Sequence, residues 1–355
     1  ITTNGHIRTK TASFGKWHLG KDPRDHGFDV NVGGSKSGSP PRGYFPPHGK
    51  ISGLESVNEN EYLTDTLTNE TIEFIKESAQ TQWLAYLSHF SVHTPIQAKK
   101  KDILKFESKA PGTLHNHVIM AAMIKAVDDG VGKIISVLED LKIKERTVVI
   151  FYSDNGGYGP ATSMSPLKGY KGTYYEGGIR VPFFVNWPKV VAAESRCSTP
   201  ITGVDIYPTL QEIITGKNKI DPKIDGVSIV PLLKGEKIKP RNIYWHFPAY
   251  LQSYSQRQDQ QRDPLFRSRP CSVIRSGKWK LIEYFENKDI ELFDLSEDIG
   301  EKNNLSTKKP SITKSLRTQL NDWRISTNAS IPSKENPEYD KEAELNAIIK
   351  LQEKE

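Results

Sequence analysis

The chain has 355 residues, 36% hydrophobic and 26% charged, with 49 Lys and Arg against 43 Asp and Glu for a net charge of +6. That length admits about two domains at ~150 residues each, and no apolar run reaches the ~18 residues of a membrane span. Two cysteines and nine histidines exclude a disulfide framework and a zinc-finger array. The mild basicity favours anionic partners in general, and no nucleic-acid partner is expected.

Ile1 opens the chain with no signal-peptide pattern, so a processed or incomplete protein is expected. Residues 33–53 hold too much Gly and Pro for a helix or central strand and read as a long loop. Apolar residues at helical spacing predict a helix from Glu61 to Ala79, and Trp83–Ser88 reads as a buried strand. A longer helix follows over His117–Leu141, with Val118, Met123, Ala126, Val127, Val131, Ile134, Ile135 and Leu138 in one stripe. The apolar run 147–152 is expected to be a strand covered on both faces. A strand at 181–185 and a helix at 205–215 continue the alternation, which predicts an α/β unit over residues 1–240 with a mostly parallel sheet flanked by helices. Beyond Pro240 the short runs 243–245, 272–274, 278–284 and 290–295, with a hairpin loop at Asn287-Lys288-Asp289, predict a smaller antiparallel sheet. A helix over Ile312–Trp323 completes this second domain, residues 241–330, and the charged tail 331–355 is expected to pack poorly. The Arg- and Gln-rich stretch 252–269 reads as a solvated loop.

Four polar segments fall where an α/β sheet presents its ligands, beyond the carboxyl ends of strands. Ser153-Asp154-Asn155-Gly156-Gly157 follows the apolar run 147–152, and a carboxylate beside a carboxamide offers hard oxygens suited to Ca²⁺ or Mg²⁺. An ordinary Asn-Gly turn is the simpler reading of the same residues. In Gly15-Lys16-Trp17-His18-Leu19-Gly20, an extended backbone would set Lys16 and His18 on one face, one to hold an anion and one to move a proton. His93, in His89-Phe90-Ser91-Val92-His93-Thr94-Pro95, is a candidate acid after strand 83–88. Leu167 to Arg180 carries four glycines with Lys168, Lys171 and Arg180, an anion cradle whose spacing is not that of a nucleotide P-loop. Each segment alone has a plain surface-loop reading.

Together and in this order, GKWHLG, HTP, SDNGG, GYKGTYYEGGIRVPFFVNWP and WKLIEYFE resemble the type I sulfatases of the alkaline-phosphatase-like superfamily over most of the chain. The resemblance implies hydrolysis of sulfate esters by a formylglycine made from Cys or Ser by a formylglycine-generating or equivalent maturation enzyme. It implies that Lys16 contacts the sulfate and the formylglycine oxygen, His18 is the base that expels sulfate, His93 is the acid for the leaving oxygen, and Lys171 holds sulfate oxygens. Asp154 and Asn155 would bind one Ca²⁺. Lys168 and His246 are candidate substrate contacts, and Arg180 is a candidate partner of a buried carboxylate. The family's Cys/Ser-x-Pro-x-Arg motif and acidic pair do not precede Lys16. The nucleophile is therefore expected in a missing N-terminal segment, and the 355 residues alone are expected to bind calcium weakly and cleave no sulfate ester. Cys271-Ser272-Val273-Ile274-Arg275 lacks the proline and reads as a strand. A sulfated carbohydrate is the expected substrate, with an aryl sulfate as the other choice, and export from the cytoplasm is expected from the family. A phosphodiesterase or phosphatase of the same superfamily and an inactive polyanion-binding homologue stand as alternatives.

Overall fold

The computed structural model describes residues 9–48, 51–54, 61–218, 220–254, 262–334 and 336–353. They fall into two units, one within 1–149 and 185–192 and the other within 150–184 and 193–355. In the first unit, β1 (Lys10–Gly15) lies between β2 (Val30–Val32) and β3 (Trp83–Ser88), all parallel. The sequence pattern conceals β1 because its inward positions alternate apolar Ala12 and Phe14 with buried Thr11 and Ser13. Thr11 is accommodated by Asp29, whose carboxylate accepts from its N–H at 2.9 Å and whose N–H donates to its hydroxyl at 3.0 Å. Helices α1 (Leu63–Ser78), α2 (Lys100–Glu107) and α3 (Val118–Asp140) complete the unit. Phe14, Leu63, Leu67, Phe74, Met123 and Ala126 build its core. At Gly130 of α3 an added Cβ would stand 2.6 Å from the Thr68 hydroxyl of α1, so the two helices touch at that glycine. The expected stripe of α3 is buried or half-buried throughout.

Strand β4 (Val149–Tyr152) ends just before Ser153 as expected, but among the described residues it pairs only with β5 (Phe183–Asn186). Phe151, Tyr152 and Phe184 are 38%, 42% and 65% exposed, so the expectation of a strand covered on both faces is corrected. Among the described residues the parallel sheet is correspondingly small, with three strands rather than a broad one.

In the second unit come the short helix α4 (Glu176–Ile179), α5 (Ile206–Thr215) and α6 (Val230–Leu233). The antiparallel sheet predicted after Pro240 is present, in the order β11 (Ile290–Asp294), β10 (Trp279–Tyr284), β9 (Cys271–Ser276), β6 (Asn242–Phe247). Its period of two sorts the side chains cleanly. Ile274, Leu281 and Leu292 face α7 (Pro310–Ser326), where Tyr244 stacks on Trp323 at 4.7 Å. Val273, Ile282 and Phe293 face the other way and pack with Tyr175 of the glycine-rich segment. Residue 240 lies within the second unit. The ends of the Arg- and Gln-rich stretch form a small ladder, β7 (Leu251–Gln252) with β8 (Phe266–Ser268), and its residues 255–261 lie outside the described ones. The tail is also more ordered than its composition suggests: α8 (Lys341–Gln352) is capped by the Asp340 carboxylate, and Glu344 pairs with Arg269 at 2.7 Å. No helix among the described residues is long and apolar enough to cross a membrane.

Candidate active site

In the first unit β1 and β3 run side by side, with Gly15 opposite Ser88, so both release their chains at one carboxyl edge. Lys16 leaves β1 with its N–H donating to the Ser88 carbonyl at 2.7 Å. Gly15 has φ 91°, and a Cβ there would meet that carbonyl oxygen at 2.1 Å, so no other residue fits. Trp17 packs against Phe28 and His26 with ring centroids 5.8 and 5.4 Å apart. His18 departs from the extended backbone expected for this segment. Its φ is +62°, and its N–H turns away to the Ser35 carbonyl at 2.9 Å. The Gly/Ser segment after β2 thereby wraps the imidazole, and a Cβ on Gly38 would stand 2.5–2.9 Å from three of its ring atoms.

His93 sits on the loop after β3. Its N–H donates to the Phe90 carbonyl at 2.8 Å, and the hydroxyl of buried Tyr44 donates to the His93 carbonyl at 2.8 Å. Its Nδ1 lies 2.9 Å from the Thr94 carbonyl, which can only accept. A hydrogen on Nδ1 satisfies that carbonyl, and the Thr94 hydroxyl stands 3.3 Å from the same nitrogen. Just after β3 the buried Nδ1 of His89, without a partner among the described residues, is a cost to any charged form, and desolvation lowers that imidazole to about 4.

In the second unit the turn after β4 and the glycine-rich segment are sewn together. Gly156 N–H donates to the Gly178 carbonyl at 2.9 Å, and a Cβ on Gly156 would fall 1.8 Å from the Gly177 oxygen. Lys171 N–H donates to the Gly157 carbonyl at 3.0 Å, and Gly177 N–H donates to the Lys168 carbonyl at 2.8 Å. Asp154 is exposed, and Asn155 donates its amide hydrogen to the Gly156 carbonyl at 2.9 Å. Asp154, Asn155 and Lys171 thus belong to one cluster of loops.

The remaining candidates have local partners. The Lys168 ammonium lies 4.0 Å from the Tyr175 ring centroid. His246 approaches the Ser272 hydroxyl and the Ser330 carbonyl at 2.8 Å each, so both ring nitrogens are occupied within the C-terminal sheet region. Arg180 pairs with Glu176 at 3.5 Å, the buried carboxylate anticipated for it.

Sequence reasoning missed what anchors this cluster. Lys280 of β10 is wholly buried and reaches Glu176 at 3.1 Å and Glu301 at 2.8 Å, while Glu301 also accepts from the Glu176 N–H at 2.6 Å. Burial pushes the Glu176 carboxyl up, but Lys280 and Arg275 outweigh it and hold the group below its usual range. Burial wins at Glu301, which is raised. A lysine at an inward position of Trp279–Tyr284, in step with Ile282 and Tyr284, was the available signal.

The cofactors implied by the resemblance fit only in part. Asp154 and Asn155 are of the right kind for a hard cation, but no group of three His, Cys, Asp or Glu among the described residues could hold a metal. Two donors fall short of the six to eight oxygens calcium takes. Neither cysteine suits a formylglycine: Cys271 is buried in β9 with its thiol pushed up to about 12 by desolvation, and exposed Cys197 has proline at the third following position rather than the second.

Residues 8–216 match the family model described as Sulfatase, and residues 170–326 match that of N-sulphoglucosamine sulphohydrolase, C-terminal. A sulfatase of Formosa agariphila is 33% identical over 297 residues, 76% of this chain and 51% of that protein. Human steryl-sulfatase is 30% identical over 200 residues, 53% of this chain and 33% of that one. The chain therefore spans about half the length of the first relative and about a third of the second. The crystal structure of Ps i-CgsB in complex with k-i-k-neocarrahexaose is similar with a TM-score of 0.72 at 27% identity, covering 97% of this chain and 76% of that one. BT4656 in complex with D-glucosamine-2-N,6-O-disulfate shares the fold, with a TM-score of 0.66 at 18% identity over 92% of this chain and 82% of that one.

Proposed function

Because this chain belongs to the sulfatase family, with its alkaline-phosphatase-like fold, we propose that it serves hydrolysis of a sulfate ester carried on a carbohydrate. The observation that carries this reading is the hydrogen bond from Lys171 to the Gly157 carbonyl, which ties a cation-bearing loop to the Asp154–Asn155 turn. As the ester breaks, negative charge gathers on the sulfuryl oxygens and on the departing sugar oxygen. Lys171, on the loop tied to the Asp154–Asn155 turn, neutralises sulfuryl charge, and the family resemblance assigns the same role to Lys16. His93, fixed by Thr94, gives the Nε2 proton of its imidazolium form to the leaving alkoxide, a step worth ~10²–10⁴-fold. His18 would act as the base on the sulfate side in a protein that carries formylglycine, and no step here runs through that group. Lys168 is assigned a supporting role at the substrate's edge, whereas His246 could join it only by giving up its bond to Ser272 or to Ser330. Calcium would draw on Asp154 and Asn155 with further donors, and no step here runs through it. The carbohydrate preference rests on the neocarrahexaose and glucosamine disulfate bound by the similar structures. Export from the cytoplasm is part of the same proposal.

The test is turnover by protein whose formylglycine content has been established by mass spectrometry, with sulfate and phosphate esters of one sugar compared. The proposal predicts preferential sulfate release, abolished by Lys171→Ala. Faster phosphate release contradicts it and favours the phosphoesterase alternative.

A further inference from the structure

Three arginines of the segment around β8 meet different company. Arg262 pairs with Asp289 and Glu291, and Arg269 pairs with Asp263, Glu286 and Glu344. Arg267, between them in sequence, has no carboxylate within ion-pair distance among the described residues. Its guanidinium is nevertheless held in place. Nε donates to the Gln252 carbonyl at 2.7 Å, and Nη1 donates to the Tyr254 hydroxyl at 2.8 Å and the Lys171 carbonyl at 3.4 Å. The guanidinium carbon lies 4.1 Å from the Tyr254 ring centroid. Tyr254 is itself wedged by Tyr158 at 4.9 Å and stacked with Tyr170 at 5.7 Å. Gly172 makes room, since a Cβ there would meet Leu251 at 2.7 Å and Arg267 Nη1 at 3.1 Å.

A half-buried cation fixed by neutral acceptors and an aromatic face, with a second cationic residue at the next loop, is electrostatically incomplete. Nε and both Nη1 hydrogens are engaged in those bonds, which leaves the Nη2 hydrogens to meet a further partner, and an oxyanion is the strongest one for a guanidinium. We propose that Arg267, backed by Tyr254, recognises a second oxyanion of the substrate, borne on the same saccharide as the sulfate held by Lys171. This rests on the sulfatase reading and narrows its substrate class to carbohydrates with at least two anionic groups. The second group is a further sulfate ester or a uronate carboxylate, which share the chemistry that Arg267 reads.

The test is calorimetric binding of three disaccharides to the wild-type chain and to Arg267→Gln, Arg267→Lys and Lys171→Ala, each checked for unchanged melting temperature. The probes are neocarrabiose with one sulfate, neocarrabiose with two, and a monosulfated disaccharide containing a uronic acid. Arg267→Gln should weaken at least one doubly anionic probe about tenfold and leave the singly sulfated one unchanged. The probe that loses affinity identifies the second group as sulfate or carboxylate. Arg267→Lys should recover part of the loss, because charge remains and the fork does not. Lys171→Ala should weaken all three. Probes weakened by Lys171→Ala but untouched, or equally weakened, by Arg267→Gln overturn the subsite and leave the sulfatase reading standing. Failure of the wild-type chain to bind any probe overturns both.

Discussion

Lys16 and Lys171 are both backbone-anchored cations, yet their units hold them by different means. Lys16 rides on the end of a strand: β1 and β3 are in register to Gly15 and Ser88, and one further bond to Ser88 fixes the residue beyond. Lys171 has no strand beneath it. It is held because Gly156, Gly177 and Gly178 let two loops touch backbone to backbone, and because Glu176 beside them is anchored to the C-terminal sheet by buried Lys280. A sheet edge positions a residue through regular pairing that tolerates many sequences, whereas the loop cluster depends on particular glycines and one particular buried charge.

The contrast can be broken most forcefully at Lys280. Lys280→Met strands the buried Glu301 carboxylate and leaves Glu176 only its 3.5 Å contacts to Arg275 and Arg180, and the loss of a buried partner costs about 3–5 kcal/mol. Urea unfolding should show that loss, and adding Glu176→Gln should recover part of it. If Lys280→Met is neutral, the anchoring argument fails. Gly156→Ala and Gly15→Ala come next, each driving a Cβ into a carbonyl oxygen at 1.8 and 2.1 Å respectively. Overpacking costs of roughly 1–3 kcal/mol are expected at both. Gly216→Ala, with nothing within 4 Å, should cost only about 1 kcal/mol for its positive φ.

His89 sharpens the strand-end side of the comparison. Its folded-state value of about 4 lies below that of the unfolded chain. The unfolded state therefore binds more protons between about 6.5 and 4, and stability must fall as pH drops through that window. The loss is on the order of 1–3 kcal/mol, and His89→Gln should flatten the profile. A wild-type profile that is already flat there would contradict the assignment. The smallest effect belongs to Arg180→Gln. Its side chain is half exposed, and its 3.5 Å contact to Glu176 should be worth at most ~1 kcal/mol.

Much of this architecture was legible in the sequence, and the parts that were not share a cause. Helices α1, α3 and α7 and strands β3, β6, β9, β10 and β11 declare themselves through apolar periodicity. Strand β1 does not, because its buried Thr11 and Ser13 look polar until Asp29 is seen beside Thr11. Short polar α2 and β2 are hidden likewise. At the candidate site the motifs marked the residues, but an extended backbone was the wrong geometry for His18, whose positive φ depends on Ser35 and Gly38 from a distant segment. The Lys280–Glu176 pair joins residues 104 apart in the chain, a relation that no local pattern contains.

The role of His93 exposes the account most directly. On formylglycine-containing protein, sulfate release should be timed for His93→Asn with a sugar sulfate and with nitrophenyl sulfate. An alkoxide needs a proton to depart and a nitrophenolate does not, so the variant should lose ~10²–10⁴-fold on the sugar ester and far less on the aryl ester. Equal losses on both esters would show that His93 does not protonate the leaving group and would contradict the mechanism proposed for this chain.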